Sequence, residues 1–224
     1  MTSRRDPPRR DGDGVARPCA LRAEAGGQAA AAAALAREVA RLRACTLCAA
    51  HLPLGPKPVF QLDPRARLLI TSQAPGTLAH ASGRPFDDPS GERLRDWLGI
   101  GREVFYDAAR VAILPTGLCY PGRLPRGGDA PPRPECAPAW HPRILPLLPN
   151  IRLRLLVGGY AVRLVLGRAT ALETAVREFS RHLPRHFPLP HPSWRTRAWA
   201  ARHPWFAAEV LPALKREVAR ALSD

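Results

Sequence analysis

The chain has little lysine, little acid and no long apolar run. Only Lys57 and Lys215 are lysines among 34 basic residues, against 19 acidic ones, for a formal net charge of +15 over 224 residues. No stretch of 18 apolar residues exists, which argues against a membrane-spanning helix although hydrophobic residues make up 46% of the chain. Residues 1–30 carry no apolar h-region, so a secretory signal peptide is not expected. They read as a disordered, Arg-, Gly- and Ala-rich tail ahead of one domain over 31–224. Three Asp and one Glu in that segment also disfavour a transit peptide. The expected setting is cytoplasmic, with no membrane partner and a monomeric state. A GC-rich composition explains Arg over Lys but not the excess of positive charge. That excess favours a polyanionic partner, with DNA or RNA first in line.

Short apolar runs alternate with helix-forming stretches. Residues 28–44 have helical spacing, 67–71 read as a buried strand, and SGERLRDWLGI as a helix. VFYDAARVAIL reads as a second strand, RLRLLVGGYAVRLVLG as strand, turn and helix, and ECAPAWHPRILPLL as a helix. FPLPHPS is extended, and WAARHPWFAAEVLPALKREVARAL reads as one long amphipathic helix. Residues 115–134 are too rich in Pro and Gly for regular structure. The alternation implies an α/β fold with a mainly parallel sheet, whose ligands sit beyond the carboxyl ends of the strands. SQAPG (residues 72–76) and HPS (residues 191–193) fall at such ends.

Cys45-x2-Cys48, Cys119 and Cys136 form a four-thiol set suited to a structural zinc or an iron–sulfur cluster. Disulfides are the alternative, disfavoured for a chain without a secretory leader. The wide spacing of the second pair leans toward a cluster, and Cys19 lies apart in the tail.

Taken in order, CTLC, RLLITSQAPG, GRPFDDPSG, GLCYPG, PEC, RLLVGGYAVRLVLG and HPS resemble the uracil-DNA glycosylase superfamily, most closely its iron–sulfur family-four branch. The resemblance runs from about residue 38 to residue 220. It implies a three-layer α/β/α sandwich with a central four-stranded sheet, a [4Fe–4S] cluster on the four cysteines, and excision of uracil from single- or double-stranded DNA. The base would be flipped into a pocket. Ala74, Pro75 and Gly76 would let backbone approach the nucleotide, and Phe86 would stack on the base. His191 would donate a hydrogen bond to the departing base anion, and Ser193 would hold the loop or a phosphate. Trp194 and Arg195 stand where the superfamily places a wedge that fills the gap in the DNA.

The same resemblance exposes departures. Gln73 stands where family four has Glu, and Ala74 where other branches have Asp. Pro115 replaces a base-reading Asn, leaving backbone groups or Thr116 to read the base. Asp88 suits an N-cap ahead of Pro89, so Asp87 is the expected carboxylate for the sugar cation, with water held by Gln73 and with His80 as a further candidate. The altered motifs leave two other readings open: a glycosylase for hypoxanthine or xanthine, and a silent lesion-binding or abasic-site-binding protein.

Overall fold

The computed structural model describes residues 18–125 and 127–223, with side chains from residue 29 onward. Residues 1–17 of the expected tail lie outside that range, and helix α1 (Pro18–Arg43) crosses the expected boundary at residue 30. Four short strands follow: β1 (Leu68–Thr71), β2 (Val111–Ile113), β3 (Leu153–Val157) and β4 (His186–Leu189). All pair in parallel, in the order β2-β1-β3-β4. Parallel strands need crossovers, and helices supply them on both faces.

The strands read as continuous apolar runs because both faces are buried. Successive side chains alternate between two cores. Leu68 and Ile70 join Leu94 and Leu98 of α3 (Pro89–Leu98), together with Leu214 and Val218 far along the chain. Leu69, Ala112 and Leu114 face the other way, against Leu35 and Leu42 of α1 and against Trp140 and Ile144 of α5 (Cys136–Ile144). The expected three-layer arrangement is therefore the one observed.

Two local expectations are corrected. Within VFYDAARVAIL only Val111–Ile113 is strand. Arg102–Tyr106 forms a short helix, α4, whose Phe105 is fully buried. The C-terminal segment is not one helix either. It breaks at His203, after α8 (Thr196–Arg202), and resumes at Pro204, passing through a π-helical turn at Phe206–Val210 into α9 (Leu211–Leu222). Proline removes a backbone donor and clashes with the preceding turn, so a helix cannot run through it undisturbed. TLAHAS is helix α2 (Thr77–Ser82), and α6 (Gly159–Leu166) and α7 (Leu172–Arg177) lie between β3 and β4.

A buried polar bridge ties α5 to the sheet. His141 bonds through Nε2 to the Pro115 carbonyl at 2.9 Å, and its Nδ1 lies 3.3 Å from the Arg154 guanidinium. Arg154 in turn donates to Thr71 Oγ1 at 2.9 Å. This pattern requires a neutral imidazole, with Nε2–H donating and Nδ1 accepting. Burial, reinforced by Arg154, pushes His141 down to about 4. The folded state thus resists a proton that the unfolded chain accepts near its ordinary value of 6.5. The resulting stability is present above pH 6.5 and lost as pH falls from there toward 4, about 3 kcal/mol at most. Urea denaturation at pH 7 and pH 4.5 should show this loss in the wild type and a smaller one in His141→Gln.

Candidate active site

The sheet order reverses direction at β1, which has β2 on one side and β3 on the other. Ligand sites in open parallel sheets form beyond the strand ends at such a reversal. Here three loops meet there. Ser72–Gly76 leaves β1, Gly158 follows β3, and His191 follows β4. Gly158 has φ +89, and a Cβ on it would lie 3.4 Å from His191 Cβ, so glycine suits both the turn and the close approach. Ser72, Ala74, Pro75, Gly76, Phe86, Asp88, Ser90, Pro115, Asp129 and His191 line a single narrow pocket, with Val59, Ala79 and Pro85 completing its wall.

Phe86 sits in this pocket in an unusual conformation. Its φ is +56, among the described residues a value above zero found otherwise only in glycines. A bulky residue in that region is strained unless its surroundings fix it. The Phe86 carbonyl accepts from Tyr106 Oη at 3.0 Å and from Arg95 Nη1 at 3.4 Å, and its ring packs edge-on against Phe105. Gly91 lies directly beneath. A Cβ there would stand 1.8 Å from the Phe86 carbonyl oxygen, so any side chain at 91 must dislodge Phe86.

His191 opens onto the pocket while protein atoms surround most of its ring. Among the described residues no hydrogen bond engages its imidazole. Its backbone carbonyl, in contrast, accepts from Ser193 N–H at 2.8 Å and from the Thr196 hydroxyl. The imidazole is therefore held from behind and free toward the cavity. Burial pushes it below its ordinary value, with Asp88 and Asp129 pulling the other way. Burial thus favours the neutral ring, a donor suited to a developing anion.

Several expected residues have other duties. Asp88 caps α3, its Oδ1 accepting from Gly91 N–H at 2.8 Å, and also lines the pocket. The residue before it, Asp87, is not brought into the pocket. Asp88 is fully extended (φ −157, ψ 173), and Asp87 pairs instead with Arg102 at 2.7 Å. That guanidinium holds the Asp87 carboxyl below the usual range. The expectation of Asp87 as the carboxylate facing the sugar is corrected on this ground. Gln73 is also absent from the pocket wall; its Nε2 reaches the Ala130 carbonyl at 3.3 Å. Thr116 is likewise not in the wall, because its hydroxyl donates to the Gln73 carbonyl. His80 lies outside as well, near Tyr120. Ser193 is not in the wall, and its N–H helps to hold the His191 carbonyl.

Besides Asp88, the carboxylate that enters the pocket is Asp129, within the Pro/Gly-rich insert. It was not singled out from sequence, yet it is the only acidic residue between positions 115 and 134. The insert folds back on itself through an Arg123–Asp129 bridge, with Ala130 N–H donating to the Gly122 carbonyl at 2.8 Å.

Outside the pocket, a shallower groove continues over Thr77, Leu78, Arg93, Arg123 and Trp194. Trp194 is 71% exposed, which rules out a core role, and the Arg195 guanidinium stacks 5.2 Å from its ring centre. The groove thus joins an exposed aromatic, with Arg195 stacked on it, to Arg93 and Arg123, while Asp88 and Asp129 line both groove and pocket; an aromatic beside arginines suits nucleic acid.

Elsewhere, Cys45, Cys48, Cys119 and Cys136 are all free thiols. All four line one small cavity with Leu47, Pro58, Leu118 and Trp140. The Leu118 N–H points at Cys136 Sγ, 3.3 Å away. Among the described residues no group of three or more His, Cys, Asp or Glu is arranged to hold a single metal ion. The Cys19 side chain lies outside the described residues.

The fold and the pocket define an α/β protein with a narrow pocket at the carboxyl edge of a parallel sheet, opening onto a groove that carries Arg93, Arg123 and Trp194. The family model of the uracil DNA glycosylase superfamily matches residues 59–215, well over half of the chain, and the chain belongs to that superfamily. Membership points to DNA glycosylase chemistry and a DNA substrate. No helix among the described residues is long and apolar enough to cross a membrane.

Gly91→Ala should lower stability by about 2 kcal/mol or more through the forced shift of Phe86. Urea denaturation checks this; a variant as stable as wild type would show that Phe86 is not fixed from below.

Proposed function

We propose that the protein removes uracil from DNA by hydrolysing its N-glycosidic bond after flipping the nucleotide into the pocket. The observation that carries this reading is the union of Phe86 and His191 in one narrow pocket that opens onto a groove bearing Trp194, Arg93 and Arg123. Phe86 supplies a flat apolar face for the base, and its rigid backbone sets the ring's position. His191 donates to the base oxygen where negative charge gathers as the bond to the sugar breaks. Trp194 fills the stack left by the extruded base, while Arg93, Arg123 and Arg195 meet phosphates. Ala74, Pro75 and Gly76 present little bulk, so backbone approaches the nucleotide closely. We read the chain as a monofunctional enzyme of the iron–sulfur family-four type.

Cys45, Cys48, Cys119 and Cys136 would hold a [4Fe–4S] cluster. Four free sulfurs line one cavity, and the wide spacing of the Cys119–Cys136 pair leans toward a cluster over a compact zinc site. When bound it would act as a cross-link between the end of α1 and the two ends of the insert. No step of the hydrolysis runs through it. Purified protein should contain about four irons and four sulfides per chain and be brown; colourless protein with one zinc would contradict this.

In single-turnover assays, a uracil-containing oligonucleotide should be converted to an abasic product. His191→Ala should slow this about 100- to 1,000-fold, the cost of removing one donor from a developing anion. Absence of product from wild-type protein, with hypoxanthine- or xanthine-containing DNA cleaved instead, would move the substrate. Tight binding without turnover on any of these would leave a lesion binder.

A further inference from the structure

Breaking a glycosidic bond creates two charges, and His191 answers only the one on the base. The sugar becomes cationic at C1′ and must be met by a carboxylate or an activated water. The SQAPG loop offers neither, because Gln73 is an amide and Ala74 is a methyl. Asp87 is held by Arg102, and Asp88 has one oxygen committed to the Gly91 N–H.

Asp129 differs from both. It lines the pocket beside Gly76 and His191, and its carboxylate makes no hydrogen bond among the described residues. A Cβ placed on Gly76 would meet Asp129 Oδ2 at 3.5 Å, so the carboxylate lies over the Pro-Gly floor where a nucleotide passes. Its backbone is fixed from several sides. Arg123 pairs with it across the insert, Leu124 N–H donates to the Gly128 carbonyl at 2.9 Å, and Gln73 Nε2 grips the next carbonyl, Ala130. Arg195 packs against the preceding glycine, with its Nη1 3.0 Å from where a Gly128 Cβ would stand. These are ties from the SQAPG loop and from the segment after HPS, the two loops that frame the pocket.

We propose that Asp129 is the catalytic carboxylate of this enzyme, carried by the insert in place of the acid missing from the first loop. The assignment rests on the glycosylase reading above. In the reaction, the C1′–N bond breaks and its electron pair leaves with the base, where His191 stabilises it. Asp129, ionised, faces the sugar cation and takes one proton from the attacking water as the new C1′–O bond forms. That proton then passes to solvent or to the released base, so the sum is substrate plus water giving free base and abasic sugar. Gln73 becomes a positioning residue: the side chain at the usual place of the acid holds the loop that bears its replacement.

The charged groups facing Asp129 are Arg123, His191, Asp88 and Arg195. Burial raises its carboxyl above the ordinary range against the pull of Arg123. A base must be ionised to act, so the rate should fall as pH drops through that raised value, and Asp129→Asn should lose this dependence.

The test pairs kinetics with binding. Asp129→Asn and Asp129→Ala, each verified as folded by thermal melting, should cleave uracil DNA at least about 100-fold more slowly than wild type. Duplexes carrying a cationic pyrrolidine or a neutral tetrahydrofuran at the abasic position supply the second readout. Wild-type protein should prefer the cationic duplex, and both variants should lose that preference. Variants that keep the wild-type rate overturn the assignment, and so does a slower rate with the cationic preference intact. Wild-type protein inactive on uracil would sink the substrate reading alone, because the two abasic probes still report whether Asp129 faces C1′.

Discussion

The parallel pairing of β1 with β3, in the register Leu68↔Leu153 through Thr71↔Leu156, is the constraint on which the site depends. It sets two carboxyl ends side by side, and β4 adds a third next to β3. Each strand is only a few residues long, so the loops leave from nearly the same level. A pocket assembled from distant segments is the consequence. The Arg154 bridge from β3 to Thr71 and His141 strengthens the same pairing, and it carries Pro115 into the pocket wall through the His141–carbonyl bond. Backbone position at the site thus depends on a buried polar network on the far side of the sheet.

Around that frame, each part of the site is held in a different way. Phe86 and His191 come from segments held by hydrogen bonds to their carbonyls, with Tyr106 and Arg95 on one and Ser193 and Thr196 on the other. Fixing a side chain through its own backbone leaves its ring free to meet a ligand. The insert between Cys119 and Cys136 has no core of its own. It depends on the Gln73 amide, on Arg195, and on the packing of Gly117 beneath Pro132, where a Cβ would sit 2.8 Å from the proline Cβ. Under the proposed cofactor, a cluster bound by the cysteines at both of its ends would fix the arms of a loop that reaches into the pocket.

Much of the fold was legible in the sequence, and the reasons are local. Strands buried on both faces read as apolar runs, as in RLLIT and RLLV, and Asp-Pro ahead of SGERL marks a helix start. VFYDAARVAIL misled because aromatic and β-branched residues favour a strand while a short helix buried Phe105 just as well. At HPW the amphipathic pattern continued through a proline break. Asp88 caps α3 as expected but also lines the pocket, whereas Asp87 does not, since adjacent side chains on extended backbone point to opposite sides. Asp129 left no periodic trace. The path of this Pro/Gly segment is set by a long-range bond from Gln73 and by the Ala130–Gly122 bond across the insert, and no nearest-neighbour pattern encodes those. Its one local mark is an isolated acid after two glycines in a basic stretch.

The central claim is that a flipped base lies between Phe86 and His191. A crystal structure with a duplex bearing a 2′-fluorinated, hydrolysis-resistant deoxyuridine would test it most directly. The account predicts the base stacked on the Phe86 ring, its oxygen within hydrogen-bond reach of the His191 imidazole, and Trp194 inserted into the duplex. A uridine left stacked in the helix, or held on another face of the protein, would contradict it.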